Sequence, residues 1–220
     1  MTDEMIKTSV EKFEKLLIAQ QQRAERIKAE KDFMDYSALD NLIIGICGGD
    51  GIGPVITHEA ERVLRFLLKD DVDAGKITFK EIDGLTIENR AAVGKAIPDD
   101  VLAELKQCHV ILKGPTTTPR AGDPWPNIES ANVAMRKELD LFANLRPVRV
   151  PEQGIDWTFF RENTEGGYAV GSDGINVSDD LAVDFVVATT EGCERIARLA
   201  YEYARKNHKE RVSIITKANV

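Results

Sequence analysis

The chain has 220 residues, of which 43% are hydrophobic, 30% are charged and 6% are aromatic. This composition is typical of a soluble globular protein with a core of its own, organised in one or two domains. The formal net charge of -8 argues against general nucleic-acid binding, because no basic surface is available to neutralise phosphates. Small-molecule chemistry is the favoured class of function.

The cysteines and the N-terminus indicate the cellular compartment. Cys47, Cys108 and Cys193 show no CxxC spacing, so the sequence predicts neither a disulfide framework nor a zinc site. No apolar run approaches the length of a membrane span, and acidic residues lie among the first lysines, unlike in a secretory or transit peptide. We therefore expect a cytoplasmic protein with reduced thiols and no membrane partner.

The predicted elements begin with a helix and continue as alternating strands and helices. Residues 3–32 place apolar side chains at helical spacing, and we interpret residues 1–40 as a helical extension that packs on the body of the protein or on a partner subunit. The next strands are predicted at NLIIGIC, KITFKEID and HVILK, with helices at VITHEAERVLRFLL and IPDDVLAELKQ. This alternation predicts that residues 41–141 form the first part of a large α/β domain with a mostly parallel sheet.

Beyond residue 141 the predicted strands follow one another more closely. They are DLFANLRPVRV, DWTFFRE, YAVG and LAVDFVVATT, and their spacing favours antiparallel pairing in a smaller α+β region. A helix at EGCERIARLAYEYARKNH and a strand at RVSIITKANV follow. We interpret residues 142–220 as an incomplete small or dimerisation region. Because a terminal parallel strand lacks a following crossover, we expect the 220 residues to be a fragment of a longer chain.

Two loops beside the predicted sheet are candidate ligand sites. The turn GGDGIGP, residues 48–54, lacks the G-x-G-x-x-G spacing and carries a proline, so a dinucleotide site and a tight strand-to-helix turn both stay open. The loop KGPTTTP, residues 113–119, follows a strand at the carboxyl edge of the sheet, where ligands of open α/β sheets bind. Its ammonium and hydroxyl groups suit phosphate or carboxylate, and the alternative is a connection without a ligand.

Ser130, Asn132 and Arg136 form a candidate polar cluster. Asn132 and Arg136 are four residues apart and share a helix face, while Ser130 lies where an N-cap is expected. One helix end then offers a hydroxyl, an amide and a guanidinium to a ligand. The alternative is a capping serine together with a surface ion pair of Arg136 with Glu138 or Asp140, and the three residues by themselves favour this alternative.

Three arginines, Arg136, Arg146 and Arg161, lie at the edges of apolar runs that look buried. Because an arginine does not lose its charge, a cluster of arginines near a core must face anions. Guanidinium groups match carboxylates in bidentate geometry. We therefore expect the anion to be a small polycarboxylate.

The chain contains six runs in collinear order between residues 42 and 220: GGDGIGP, DGLTIENRAAVGKAIPDDVL, LKGPTTTP, SANVAMRKELDLFANLRPVR, FRENTEGGYAVG and TKANV. Together they resemble the metal-dependent β-decarboxylating dehydrogenases, the isocitrate/isopropylmalate dehydrogenase family. The resemblance implies that family's α/β fold, with a mostly parallel sheet and a smaller α+β region, C-terminally incomplete. It does not include the first 40 residues.

The resemblance implies how a substrate would be bound. Arg136, Arg146 and Arg161 match the family's substrate-carboxylate arginines, and Lys113 matches a position near the substrate. The S-x-N-x-x-x-R arrangement resembles the isocitrate type, in which Ser130 and the asparagine that follows two residues later would hold the extra carboxylate. The isopropylmalate type has a leucine-rich stretch there, and polar groups in such a pocket reject an apolar branch.

The resemblance also implies the proton-transfer and cofactor residues. Tyr168 would donate a proton to the enol carbon after CO2 leaves, and Lys217 would manage the proton of the substrate hydroxyl, reaching across from the neighbouring subunit of a homodimer. Thr117, Asn132 and Asn219 match positions close to the nicotinamide end of the cofactor.

The implied reaction converts isocitrate to 2-oxoglutarate and CO2. A hydride would pass to NAD or NADP, with NAD favoured by overall resemblance, and Mg2+ or Mn2+ would polarise the new carbonyl. The family's metal-binding aspartates and adenosine loop lie downstream of TKANV, so we predict no metal ligand in these residues and little or no turnover by the isolated chain. The alternatives are a non-catalytic or truncated subunit that binds a carboxylate ligand, and a dehydrogenase for isopropylmalate, homoisocitrate or a related 2-hydroxy acid.

Overall fold

The computed structural model describes residues 3–29, 34–171 and 174–216. The helices are α1 (Asp3–Ala29), α2 (Gly53–Leu67), α3 (Lys69–Asp73), α4 (Ile87–Val93), α5 (Asp99–Leu105), α6 (Ala131–Glu138) and α7 (Thr190–Lys206). The strands are β1 (Leu42–Cys47), β2 (Ile77–Glu81), β3 (Val110–Lys113), β4 (Ala143–Val150), β5 (Ile155–Glu162), β6 (Ile175–Ser178) and β7 (Leu181–Val183). Short 3-10 turns lie at Tyr36–Ala38 and Pro151–Gln153.

The chain divides into two compact units. The sheet unit is Asp32–Asp140, and the hairpin unit combines Met1–Lys31 with Leu141–Val220. The division of the sequence into domains at residues 40 and 141 stays a prediction about the protein's domains.

The sheet unit contains a three-stranded parallel sheet in the order β2-β1-β3. The central strand β1 is a run of isoleucines whose last four residues are buried, as expected for a parallel strand covered on both faces. Its core is a cluster of the following buried side chains: Cys47, Ile82, Leu85, Ile97, Val101, Leu105, Ala134 and Met135. The parallel sheet predicted from the alternation of strands and helices is confirmed.

The hairpin unit contains two antiparallel pairs, β4 with β5 and β6 with β7. The turn between β4 and β5 ends at Gly154, whose φ of +66° is a conformation that glycine adopts without strain. The predicted antiparallel pairing after residue 141 is therefore confirmed. In the helix α7, the Thr189 side chain caps the first turn by accepting a hydrogen bond from the Gly192 N–H.

The N-terminal helix α1 packs on β6 and α7 within the hairpin unit. Phe13 stacks on Phe185 with ring centroids 5.1 Å apart, and Lys28 forms an ion pair with Glu191 at 3.3 Å. The predicted helix and its packing on the body of the protein are confirmed. Among the described residues no helix combines the length and the apolar character needed to cross a membrane.

Three predicted strands differ in the structure. YAVG, residues 168–171, forms a turn, and only Leu181–Val183 of the run LAVDFVVATT is a strand. The predicted strand RVSIITKANV is wrong for residues 211–216, which have no regular structure, and its last four residues lie outside the described part. The reason is that a strand needs a hydrogen-bonded neighbour, and 211–216 pair with no strand in the described part of the chain.

Candidate functional site

Asp50 joins the glycine-rich turn after β1 to the threonine-rich loop after β3. Its carboxylate accepts hydrogen bonds from the backbone N–H groups of Ile87, at 2.8 Å, and Thr117, at 2.6 Å. Its own N–H donates to the carbonyl of Pro115 at 2.7 Å. Three segments that are far apart in sequence are therefore held together by one residue at the carboxyl edge of the sheet.

Glycines allow these two loops to approach closely. A Cβ atom on Gly49, whose φ is +74°, would lie 2.1 Å from the carbonyl oxygen of Pro115, and one on Gly114 would lie 2.0 Å from the carbonyl oxygen of Gly48. The space that a pyrophosphate would need is filled by the neighbouring backbone, and the Asp50 carboxylate adds a negative charge there. Of the two interpretations of GGDGIGP, the structure supports the tight turn.

Arg90, on α4, holds the same loop from the other side. Its side chain is fully buried, and its guanidinium donates to the backbone carbonyls of Ala96 at 2.8 Å, Thr117 at 2.8 Å and Glu129 at 3.2 Å. Burial lowers the pKa of Arg90, and the nearby charge of Asp50 opposes that shift. The arginine thus fixes the backbone of the threonine-rich loop and of the segment that leads into α6.

Lys113 ends β3 with a half-buried side chain. Its Nζ donates to the Gly114 carbonyl at 2.7 Å and to the Thr116 hydroxyl at 3.2 Å. Burial is the largest cause that lowers the pKa of Lys113, and the positive charges of Arg90 and Arg136 lower it further. A cation that is partly desolvated and next to other cations is stabilised by an anionic ligand.

The cluster of Ser130, Asn132 and Arg136 has the helical placement expected from the sequence. Ser130 is the N-cap residue of α6, but its side chain makes no capping hydrogen bond. Asn132 and Arg136 lie one turn apart on α6, and all three side chains are half-buried. Within the described residues none of the three side chains makes a hydrogen bond or ion pair. The predicted alternative of a serine cap is therefore wrong.

The alternative partners of Arg136 are Glu138 and Asp140. Among the described residues Arg136 forms an ion pair with neither of them, and Glu138 pairs with Lys106 at 3.8 Å. A half-buried guanidinium without a protein partner carries a desolvation cost that an anion would offset. This arrangement favours ligand binding by the α6 residues over the surface-pair alternative.

Arg146 and Arg161 lie on the β4–β5 hairpin. Arg161 pairs in register with Asn144, and Arg146 is two residues further along β4, so both arginines lie on the same face. Arg146 Nε donates to the Asn144 side-chain carbonyl at 3.1 Å. Both arginines are exposed, so the expectation that they border a buried core is wrong. Burial therefore cannot be the argument for their role.

Tyr168 follows β5 in a turn and is in contact with Arg161. The Arg161 guanidinium donates a hydrogen bond to the phenol oxygen and lies 5.1 Å from the centroid of the ring. Since a guanidinium can only donate, the hydroxyl proton of Tyr168 must point away from Arg161. The phenol is thus free to donate its proton to a third group.

The backbone that leads to Tyr168 is fixed by Glu162. Its carboxylate accepts from the N–H groups of Thr164, at 2.8 Å, and Glu165, at 2.6 Å, and from the Thr164 hydroxyl at 2.7 Å. The Tyr168 N–H then donates to the Glu165 carbonyl at 3.2 Å. Asn163, which is 5% exposed, lies inside this turn.

Comparison with known proteins identifies the family. A family model described as isocitrate/isopropylmalate dehydrogenase matches residues 43–220. The chain belongs to this family. It is 32% identical to "Isocitrate dehydrogenase [NADP]" of Staphylococcus epidermidis over 90% of this chain and 52% of that protein. It is 34% identical to "Homoisocitrate dehydrogenase" of Methanocaldococcus jannaschii over 78% of this chain and 51% of that protein.

A solved structure supports the fold. The crystal structure of isocitrate dehydrogenase from Methylococcus capsulatus matches with a TM-score of 0.64 and 30% identity, covering 81% of this chain and 52% of that one. The chain spans about half the length of the relatives it matches. The isocitrate/isopropylmalate dehydrogenase fold expected from the sequence motifs is confirmed. The family match begins after α1, so this helix lies outside the matched region.

The site residues predicted from the sequence are distributed over both units, and two of them lie outside the described residues. The sheet unit holds Lys113, Thr117 and the α6 cluster, and the hairpin unit holds Arg146, Arg161 and Tyr168. Lys217 and Asn219 lie outside the described residues.

Sequence reasoning did not single out Asp50, Arg90 or Glu162 as organising residues. The only signals in the sequence were a charged residue inside the glycine-rich turn and an arginine beside two alanines in a short helix.

Proposed function

We propose that this member of the isocitrate/isopropylmalate dehydrogenase family supplies the substrate-binding and proton-donating residues for oxidative decarboxylation of isocitrate to 2-oxoglutarate and CO2. The observation that carries the proposal is the half-buried Arg136, which has no protein partner among the described residues and shares its helix face with Asn132. The family match over residues 43–220 supports it.

In the sheet unit, the α6 residues would bind substrate carboxylates. Arg136 would form a charge-assisted pair with one carboxylate, and Ser130 and Asn132 would hydrogen-bond the extra carboxylate that distinguishes isocitrate from an alkylmalate. Lys113 would add a positive charge beside them, and the hydrogen bond that Arg90 donates to the Thr117 carbonyl keeps this loop in place.

In the hairpin unit, Arg146 and Arg161 would bind carboxylate groups. Their shared face suits an anion with two oxygens, and the hydrogen bond from Arg146 to the Asn144 side-chain carbonyl helps to hold Arg146 there. Tyr168 would act as the general acid that protonates the enol carbon, since Arg161 holds its oxygen and leaves the hydroxyl proton free for transfer. The role of Lys217 as the second proton-transfer residue, contributed across a homodimer, stays part of the proposal.

A nicotinamide dinucleotide would accept the hydride when bound. The Thr117 N–H already donates to Asp50, so this residue offers a cofactor only its hydroxyl group, and Asn132 and Asn219 complete the proposed contacts. We propose NAD or NADP as this cofactor. Both should be tested, because the name of the staphylococcal relative specifies NADP. The protein would act in the cytoplasm.

The described residues do not fit the divalent metal, Mg2+ or Mn2+, that the family implies. No group of three or more His, Cys, Asp or Glu side chains in residues 3–29, 34–171 and 174–216 could hold a metal ion. We therefore derive no step of the mechanism through a metal.

Homoisocitrate is a second candidate substrate. The Methanocaldococcus relative, which is 34% identical, is named as a homoisocitrate dehydrogenase. Homoisocitrate carries the same hydroxyl and carboxylates on a chain one methylene longer, so the same arginines and the same tyrosine would serve, and an extra methylene in a pocket changes the selectivity about 10–200-fold. The direct comparison of the two ligands therefore decides between them.

Titration calorimetry of the 220-residue chain with isocitrate, homoisocitrate and isopropylmalate tests the proposal. We expect Arg136→Met to weaken isocitrate binding by at least about tenfold, since a hydrogen bond to a charged group contributes about 1.5–3 kcal/mol. Arg120→Met is the matched control, because Arg120 is an exposed arginine in the same unit, and its affinity should stay within about twofold of wild type.

The outcomes separate the candidates. Tighter binding of homoisocitrate than of isocitrate would select the second candidate, and tighter binding of isopropylmalate than of either would reject the role of Ser130 and Asn132. If wild type binds none of the three ligands, or if Arg136→Met binds isocitrate as well as wild type does, the proposal fails.

A further inference from the structure

The N-terminal helix α1 contacts the chain on both sides of Tyr168. Arg23 Nη1 donates to the Glu165 carboxylate at 3.2 Å, and Arg23 Nη2 donates to the Thr164 hydroxyl at 3.2 Å. One turn earlier, Gln20 Nε2 donates to the Ala169 carbonyl at 3.5 Å. The helix therefore holds the residues three and four positions before Tyr168 and the residue directly after it.

These contacts are buried. The side chains of Arg23 and Glu165 are 15% and 6% exposed, and Glu165 also accepts hydrogen bonds from the Thr189 hydroxyl at 2.5 Å and the Thr189 N–H at 3.1 Å. A charge pair with this degree of burial is costly to break on one side, because the remaining charge loses its partner in a desolvated place. The exposed ion pairs of the chain are much weaker constraints.

Tyr168 itself has little else that fixes it. Its side chain is 37% exposed, and its described contacts are the turn hydrogen bond to Glu165 and the interaction with Arg161. The orientation of the phenol therefore depends on the backbone of residues 164–169, and α1 is bonded to both ends of that segment.

We propose that Arg23 and Gln20 are positioning residues for Tyr168, so that α1, which lies outside the family match, is part of the machinery that orients the proton donor. This inference rests on the proposed function for the role of Tyr168, but the positions and contacts of α1 do not depend on it. Arg23 and Gln20 lie three residues apart, on the helix face that packs against this turn.

Fluorine NMR of the full chain labelled with 3-fluorotyrosine tests the inference without any ligand. The four tyrosines give four resonances, and Tyr168→Phe assigns one of them. We expect Arg23→Met to shift or broaden the Tyr168 resonance and to raise the amide exchange rates of residues 164–169 by about tenfold, because one buried side of the turn is released. Arg23→Lys keeps the charge, so its Tyr168 resonance and its exchange rates should lie between those of Arg23→Met and those of wild type.

Arg26→Met is the matched control, because Arg26 is an exposed arginine on the same helix. It should leave the Tyr168 resonance and the exchange rates as in wild type. A purely structural role of Arg23 would lower the melting temperature but leave the Tyr168 resonance unchanged below the transition. If Arg23→Met does not fold, Gln20→Ala replaces it, since this variant removes only the bond to Ala169 and keeps the ion pair.

The inference is overturned if the folded variant, Arg23→Met or Gln20→Ala, has the same Tyr168 resonance and the same amide exchange rates at residues 164–169 as wild type. Isocitrate titration of wild type, run in parallel, keeps the two proposals apart. If wild type does not bind isocitrate while Arg23→Met changes the Tyr168 resonance, the proposed function fails and the positioning by α1 stands. If isocitrate binds and the resonance is unchanged, the positioning fails and the proposed function stands.

Discussion

Replacing Arg90 by methionine should destabilise the sheet unit more than any exposed arginine replacement would. The guanidinium is fully buried and donates to three backbone carbonyls in three segments, those of Ala96, Thr117 and Glu129. Methionine fills a similar volume but donates no hydrogen bond, so the three acceptors lose their partner. An unsatisfied buried acceptor costs about 1–3 kcal/mol.

The sum for three acceptors is about 3–9 kcal/mol, and the removal of a buried charge offsets part of it. We therefore expect Arg90→Met to lose about 3–5 kcal/mol of unfolding free energy, a large share of the roughly 5–15 kcal/mol that a domain has. Arg90→Lys should lose about half as much, because one ammonium group cannot reach carbonyls in three different segments.

Urea denaturation followed by tryptophan fluorescence measures this loss. The chain has two tryptophans, and Trp157→Phe leaves Trp125, which lies in the sheet unit, as the only reporter. The matched control is Arg62→Met, since Arg62 is exposed and its one ion pair within the described residues is with Glu59 on the surface, and it should change stability by less than about 0.5 kcal/mol. A loss below about 1 kcal/mol for Arg90→Met would refute the structural role assigned to this arginine.

Three further predictions concern backbone approach, thiol titration and a buried carboxylate. Gly49→Ala should lose more than about 3 kcal/mol of unfolding free energy in urea denaturation, because its Cβ would lie 2.1 Å from a carbonyl oxygen. The control Gly51→Ala, with φ +59° and no atom within 4 Å, should lose only about 1–2 kcal/mol. Equal losses would contradict this reasoning. Burial raises the pKa of Cys47 from 9.0 to about 11, so the unfolded thiol ionises first and stability should fall as pH rises from 9 to 11. Cys47→Ala should remove up to about 3 kcal/mol of that pH dependence, and an unchanged slope would contradict the assignment. Gly192→Ala should lower the melting temperature, because its Cβ would lie 2.2 Å from the Glu165 carboxylate, and calorimetry showing no change would contradict this packing.

The local part of the fold could be predicted from the sequence. The isoleucine run of β1, the proline at the start of α2 and the apolar spacing of α1 and α7 each carry a periodicity or a terminal signal that depends only on neighbours along the chain. The alternation of these elements then predicts the parallel sheet. The prediction of a strand at residues 211–216 failed, because their apolar pattern is typical of a strand but a strand forms only where it pairs with a neighbouring strand.

For the candidate site, the sequence pointed to charged and hydroxyl-bearing residues at the ends of helices and strands. Arg136 and Asn132 share a helix face as the four-residue spacing requires, and Arg161 contacts Tyr168 although nothing in the spacing of these two residues predicts that contact. The expected burial of Arg146 and Arg161 is wrong, because residues 145–149 of the two-stranded hairpin are exposed on both faces of β4 although several of them are apolar.

The α/β class of the sheet unit, the helices and the family motifs follow from the amino-acid sequence alone, since all of these depend on local periodicity and residue order. The folded chain was needed to show that Asp50 binds the Thr117 backbone, that Arg90 joins three segments, and that Arg23 reaches the turn before Tyr168. The contacts of Arg90 with Thr117, of Asp50 with Thr117 and of Arg23 with Glu165 link residues 27, 67 and 142 positions apart, and no local pattern specifies which distant polar partner a buried side chain will meet.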